Sequence, residues 1–120
     1  MMTEAAAAER RRRADDAPRL SSAAPTLVSM RLEIEIFRDG VPLSNSKHIR
    51  RIVVSDAPAL FELPCLDGFC REGGHDLTRA LLNGLSQRSQ RFRGEEECSG
   101  RTGSAYCRCV MHFVAVAEYA

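Results

Sequence analysis

All five cysteines of this 120-residue chain fall between positions 65 and 109, and that clustering constrains the fold more than any other feature. The stretch reads P-C-L-D-G-F-C-R-E-G-G-H from Pro64 to His75, runs through an amphipathic segment, and closes with E-C-S-G-R-T-G-S-A-Y-C-R-C at Cys109. The cysteines stand beside glycines and at the ends of expected strands. A turn folds two side chains back onto one point, so this is the layout of a metal site, with five unconnected buried thiols as the plain alternative.

Zinc takes four ligands on a tetrahedron, with Zn–S near about 2.3 Å. Cys65 and Cys70 form a local pair, C-x4-C across Asp67-Gly68. Cys98 closes one expected strand and Cys107 opens the next, so a hairpin between them sets the two side by side. Cys107 and Cys109 project from one face of an extended strand, about 6.6 Å apart at the backbone, and are awkward as joint ligands. The expected ligands of one structural zinc are therefore Cys65, Cys70, Cys98 and Cys107. His75 is the rival ligand, in a Cys3His arrangement, or else packs with a hydrogen bond near the helix start. Cys109 reads as a buried core thiol with ligation as its alternative, His112 reads as a strand residue, and His48 precedes a strand outside the cysteine cluster with no special role.

The compartment follows from what surrounds the cysteines. Charges run throughout the first twenty residues, with Arg10 to Arg13 in the middle, and no stretch reaches the apolar length of a secretion signal or a membrane span. The expectation is a reducing cytoplasm, where clustered cysteines serve metals or thiol chemistry more often than disulfides. An odd count of five also argues against a closed disulfide framework.

Residues 1–25 hold four alanines in a row, four arginines in a row and one large aliphatic residue after the initial methionines, Leu20. So little apolar surface is expected to leave a disordered Ala/Arg-rich tail. A start at Met30, directly before the first clear strand, is an alternative to Met1. Residues 26–120 are expected to form a single zinc-binding α+β domain.

Within it, Leu32, Ile34 and Ile36 alternate with Arg31, Glu33 and Glu35, which marks an antiparallel strand with one buried face, ended by the turn signal Asp39-Gly40. Val41 to Lys47 reads as a loop. A second extended region over His48 to Leu63 is broken at Pro58. Asp76 caps a helix whose stripe is Leu77, Ala80, Leu81, Gly84 and Leu85. Gly84 in that stripe suits a close approach of helix to strand. Arg91 to Cys98 is a third strand, Ser99 to Ser104 a turn, and Ala105 to Tyr119 the strongest strand, placed centrally or under the helix. The fold expected is α+β: about four antiparallel strands with one helix packed on them, in ββαββ order, stabilised by zinc.

The run F-E-L-P-C-x4-C-x2-G-G-H-D-L-T, then a helix, then F-R-G-x3-C-x-G-x6-C and a final aromatic-ended strand, resembles a group of small uncharacterised bacterial zinc-binding proteins. The resemblance spans Phe61 to Tyr119 and implies the same four cysteine ligands without implying a reaction. It is more distantly similar to zinc ribbons and treble clefs, from which the internal helix and the terminal strand differ.

Charge separates the function classes. The first thirty residues hold five arginines against four acids, and the remainder balances twelve against twelve, so totals give no electrostatic case for nucleic acid. The leading expectation is a non-enzymatic, zinc-stabilised protein-interaction or adaptor module with a protein partner. Nucleic-acid binding through Arg88, Arg91, Arg93, Arg101 and the N-terminal arginine run is the alternative. A thiol- or zinc-dependent enzyme is the third reading, for which Glu72 and His75 could be recruited. No H-E-x-x-H or C-x-x-C stands in the chain to support it.

Overall fold

A computed structural model describes residues 4–70, 72–102 and 105–120. Met1, and Gly103 and Ser104 of the expected turn, lie outside the described residues. The elements in order are α1 (Glu4–Asp16), α2 (Leu20–Ala23), β1 (Leu27–Arg38), β2 (Val41–Pro42), β3 (His48–Ile52), β4 (Glu62–Pro64), β5 (Gly74–Asp76), α3 (Thr78–Ser86), β6 (Arg91–Glu97), β7 (Arg101–Thr102), β8 (Ala105–Tyr106) and β9 (Cys109–Tyr119).

The main sheet is antiparallel and five-stranded, in the order β2-β1-β9-β6, with β3 also paired to β1. β1 and β9 form its spine, from Leu27↔Tyr119 to Arg38↔Cys109, with one register shift near Leu27. Their alternation gives one inner face, on which Leu32 stands opposite Ala115, Ile34 opposite Phe113 and Ile36 opposite Met111. This is the α+β class expected, with β9 central. The element order is longer than ββαββ, because the described residues include three helices and several strands of two or three residues. Strands so short carry no periodic signal.

Local chemistry accounts for the joints. Asp39 (φ 51°) and Gly40 (φ 80°) are both left-handed, the conformation of a two-residue hairpin turn, so the expected loop begins with strand β2. Pro58 makes only an isolated bridge with Arg19, in the break between β3 and β4. The N-cap of α3 is Leu77 rather than the expected Asp76, which ends β5 and whose carboxylate accepts from the Thr78 amide at 3.0 Å. Leu77, Leu81, Gly84 and Leu85 bury the helix stripe. A Cβ on Gly84 would lie 2.4 Å from the Phe92 ring of β6, which is the close helix-to-strand approach that the glycine permits.

The N-terminal segment differs from the disordered tail expected over residues 1–25. Alanines and arginines are good helix formers, and α1 is held by charge rather than by an apolar face. Arg13 pairs with both oxygens of Glu62 at 2.9 and 2.7 Å, with Arg10 at 3.8 Å from the same carboxylate. Glu9 pairs with Arg12 and Arg13 within the helix. Leu20 is fully buried, its amide donating to the Ala57 carbonyl at 2.9 Å. Met30 lies inside β1, paired with Ile52 on one side and Ala117 on the other.

Candidate metal centre

Two loops make the centre. Pairing of Leu63 with His75 and Pro64 with Gly74 joins β4 to β5, so the chain from Cys65 to Gly73 closes on itself, with the Cys65 amide donating to the Gly73 carbonyl at 3.2 Å. Inside this loop the Cys70 amide donates to the Asp67 carbonyl at 3.0 Å, and the Asp67 side chain accepts from the Phe69 amide at 3.0 Å. The second loop leaves β6 at Cys98, passes through β7 and β8, and returns at Cys107. The Cys107 amide donates to the Gly100 carbonyl at 2.9 Å. Ser99 joins the loops by donating its amide to the Gly74 carbonyl at 3.0 Å.

The result brings the Sγ atoms of Cys65, Cys70, Cys98 and Cys107 within 4.8 Å of one another. Cys65 and Cys107 are 3.9 Å apart and Cys70 and Cys98 3.6 Å. A tetrahedron with Zn–S arms of about 2.3 Å has S···S edges of about 3.8 Å, so the spacing is that of a four-thiolate shell. A cradle surrounds it. A Cβ on Gly73 would lie 2.3 Å from Cys70 Sγ, 2.6 Å from Cys98 Sγ and 2.9 Å from Gly100 Cα, so this position has no room for a side chain. The Gly100 amide donates to Cys98 Sγ at 3.3 Å, a contact that favours a thiolate.

Burial pushes the Cys65 and Cys98 thiols up to about 11 and Cys70 to about 12. Burial raises Cys107 as well, but hydrogen bonds from Cys109, Cys70 and Cys98 outweigh it, and its net direction is down. Three of the four sulfurs are held at a cost to their ionised forms, and the group gains its charge compensation when a soft cation sits among them. The group can hold a metal ion.

A second set, Asp67, Cys107 and Cys109, shares Cys107 with the first. Asp67 already faces a cation: Arg38 Nη1 donates to its Oδ2 at 3.0 Å, and the Cys109 thiol points to the same oxygen at 3.7 Å. The guanidinium disfavours a second ion there. The set acts as a support, tying the first loop to the ends of β1 and β9. Cys109 is fully buried, and burial together with Cys107 pushes its thiol pKa well up, so that it is held protonated. The sulfurs of Cys107 and Cys109 lie within 4.8 Å, with Cys107 and Arg108 between β8 and β9 rather than inside one strand.

His75 lies outside both sets. Its ring is fully buried, with Nδ1 2.9 Å from the Glu96 carbonyl; a carbonyl only accepts, so Nδ1 carries the proton. Burial lowers its pKa, against that hydrogen bond. His112 stacks on Phe37 at 4.2 Å on the opposite sheet face, and His48 is exposed on β3.

Two of the arginines proposed for nucleic acid, Arg88 and Arg101, lie at opposite ends of the sheet. Arg88 reaches Thr26 and the Ala120 carbonyl beside Tyr119, whereas Arg101 stacks over Tyr106 at the metal end. The eleven residues of β9 separate these ends. Arg10 and Arg13 are committed to Glu62. Sequence reading missed Asp67, Arg38 and Gly73 as parts of the site. Asp67-Gly68 had signalled a turn, and nothing in linear spacing links Arg38 to it.

Among the described residues no helix is long and apolar enough to cross a membrane. No family model, curated protein or solved structure matches the chain. Fold and site alone define its class: a small α+β protein with a four-cysteine corner able to hold a metal ion.

Proposed function

We propose that the chain is a zinc-stabilised, non-enzymatic interaction module of the cytoplasm, akin to the small bacterial zinc-binding proteins that its cysteine spacing resembles. The observation that carries this reading is the convergence of four sulfurs, a group that includes no other donor among the described residues, within 4.8 Å. Four thiolates fill a tetrahedral shell and leave no position for water or substrate, so such a zinc is structural. Sulfur donors select a soft or borderline metal over magnesium or calcium.

The metal loops carry the surface for a protein partner. Phe69 and Tyr106 are 77% and 72% exposed, and Leu66 is 46% exposed, each next to a cysteine of the cluster. Large exposed apolar groups around a rigid centre mark interaction sites. Zinc would fix these loops in shape and so reduce the ordering cost of binding.

Two measurements on the full chain test this. Removal of metal by a strong chelator should abolish the native circular dichroism spectrum, and zinc alone should restore it. A bound partner identified in cells should be lost from Phe69→Ser and Tyr106→Ser proteins that keep their metal. A chelated protein that stays folded would contradict the structural role, and a partner indifferent to both substitutions would contradict the surface.

A further inference from the structure

The outer edge of β6 is complementary to itself. β6 ends the sheet, with β9 on one side and no strand paired to its other side among the described residues. Its register with β9 runs unbroken from Arg91↔Val116 to Glu97↔Val110. Just outside that run, the Ala117 amide donates to the Gln90 carbonyl and the Cys98 amide to the Cys109 carbonyl. Antiparallel alternation then assigns the backbone groups of Phe92, Gly94 and Glu96 to β9, and turns those of Arg91, Arg93, Glu95 and Glu97 outward. β5 is bonded through backbone to this stretch only past the strand's end, where Ser99 meets Gly74.

The side chains of the same four residues are exposed. The order is Arg91, Arg93, then Glu95, Glu97, with the sign changing at Gly94. A second copy laid antiparallel along this edge, with the two-fold axis at Gly94, sets Arg91 opposite Glu97 and Arg93 opposite Glu95, twice each. Sliding by two residues in one direction sets Arg93 against Arg93. Sliding in the other sets Glu95 against Glu95. One register therefore satisfies every charge, and the outward backbone groups pair in that same register.

Charged edges commonly defend a sheet against pairing. A defence works with one sign; a sign change at the centre invites a copy. Among the described residues Arg91, Arg93 and Glu97 have no ion pair of their own, and Glu95 has only His112 at 3.7 Å.

We propose that the chain forms a two-fold dimer by antiparallel pairing of β6 with β6 of a second copy, in the register that opposes Arg91 to Glu97 and Arg93 to Glu95. The sheet then continues across the axis. This goes beyond the module reading and stands whether or not the bound metal is zinc.

Sedimentation of the metal-loaded full chain over a concentration series tests it. The native protein should dimerise, more weakly at high salt. Arg93→Glu and Glu95→Arg each place like charges opposite one another and should weaken the dimer at least about tenfold. Mixed in equal amounts, the two variants should form a heterodimer, since positions 93 and 95 are then both acidic in one copy and both basic in the other. The double exchange R93E/E95R should restore the homodimer. A native protein that stays monomeric overturns the proposal. So does a dimer indifferent to both single substitutions, or single variants that do not complement on mixing.

Discussion

The Sγ of Cys70 lies 2.3 Å from where a Cβ on Gly73 would stand, so the backbone of one residue forms a wall of the sulfur cluster. Cys98 Sγ and Gly100 Cα close the same space at 2.6 and 2.9 Å. Gly73→Ala should therefore displace two sulfurs and weaken metal binding, with a loss of stability of about 1–3 kcal/mol or more. Gly68→Ala is the control, since nothing lies within 4 Å of a Cβ there. Competition against a colorimetric chelator compares the two variants. Equal zinc affinities would remove Gly73 from the site.

The five cysteines should not be equivalent. Cys70→Ser removes a sulfur of the four-membered group, and because metal binding free energy in such sites is folding free energy, this variant should lose its metal and its cooperative thermal transition. Cys109→Ser keeps a donor toward Asp67 Oδ2, where the thiol now points, and should cost about 1–2 kcal/mol while retaining the metal. Melting curves and metal content of the two variants should diverge accordingly.

Metal uptake should release protons. With thiols pushed to about 11 at Cys65 and Cys98 and about 12 at Cys70, these three are protonated near neutrality without metal, whereas the Cys107 shift favours its thiolate. Since each sulfur binds as thiolate, about three to four protons should leave per ion. Affinity must then fall as pH falls, because protons compete for the same sulfurs. Titration calorimetry in buffers of different ionisation enthalpy counts the protons, and a count near zero would contradict this description.

Deleting residues 1–29 should destabilise the protein. It removes Leu20 and Leu27, which are 0% and 6% exposed, and the Arg13–Glu62 pair. Each buried leucine lost costs about 2–5 kcal/mol, read as a lower urea midpoint with unchanged metal content. An unchanged midpoint would show that the N-terminal helices contribute nothing to the core.

This last case shows where sequence reading stops. The alternation of Leu32, Ile34 and Ile36, the Asp39-Gly40 turn and the helix stripe through Leu85 are local signals, and the structure carries each as expected. The proximity of the four cysteines was legible because turns and strand ends confine sulfurs locally. The packing of α1 was not, because Arg10 and Arg13 find their carboxylate on Glu62, about fifty positions away, and no periodicity records that partner. A lone leucine in a polar segment likewise gives no sign that position 20 will be fully buried. Asp67 was read as a turn former, and its second role depends on Arg38 and Cys109 arriving from two strands of the spine.

The most direct test of the central claim is the metal content of the purified full chain by elemental analysis, alongside its thiol count. The account predicts one zinc per chain, lost together with the fold on replacement of Cys70 by serine. A folded protein with no metal and all five cysteines titrating as ordinary thiols would contradict it.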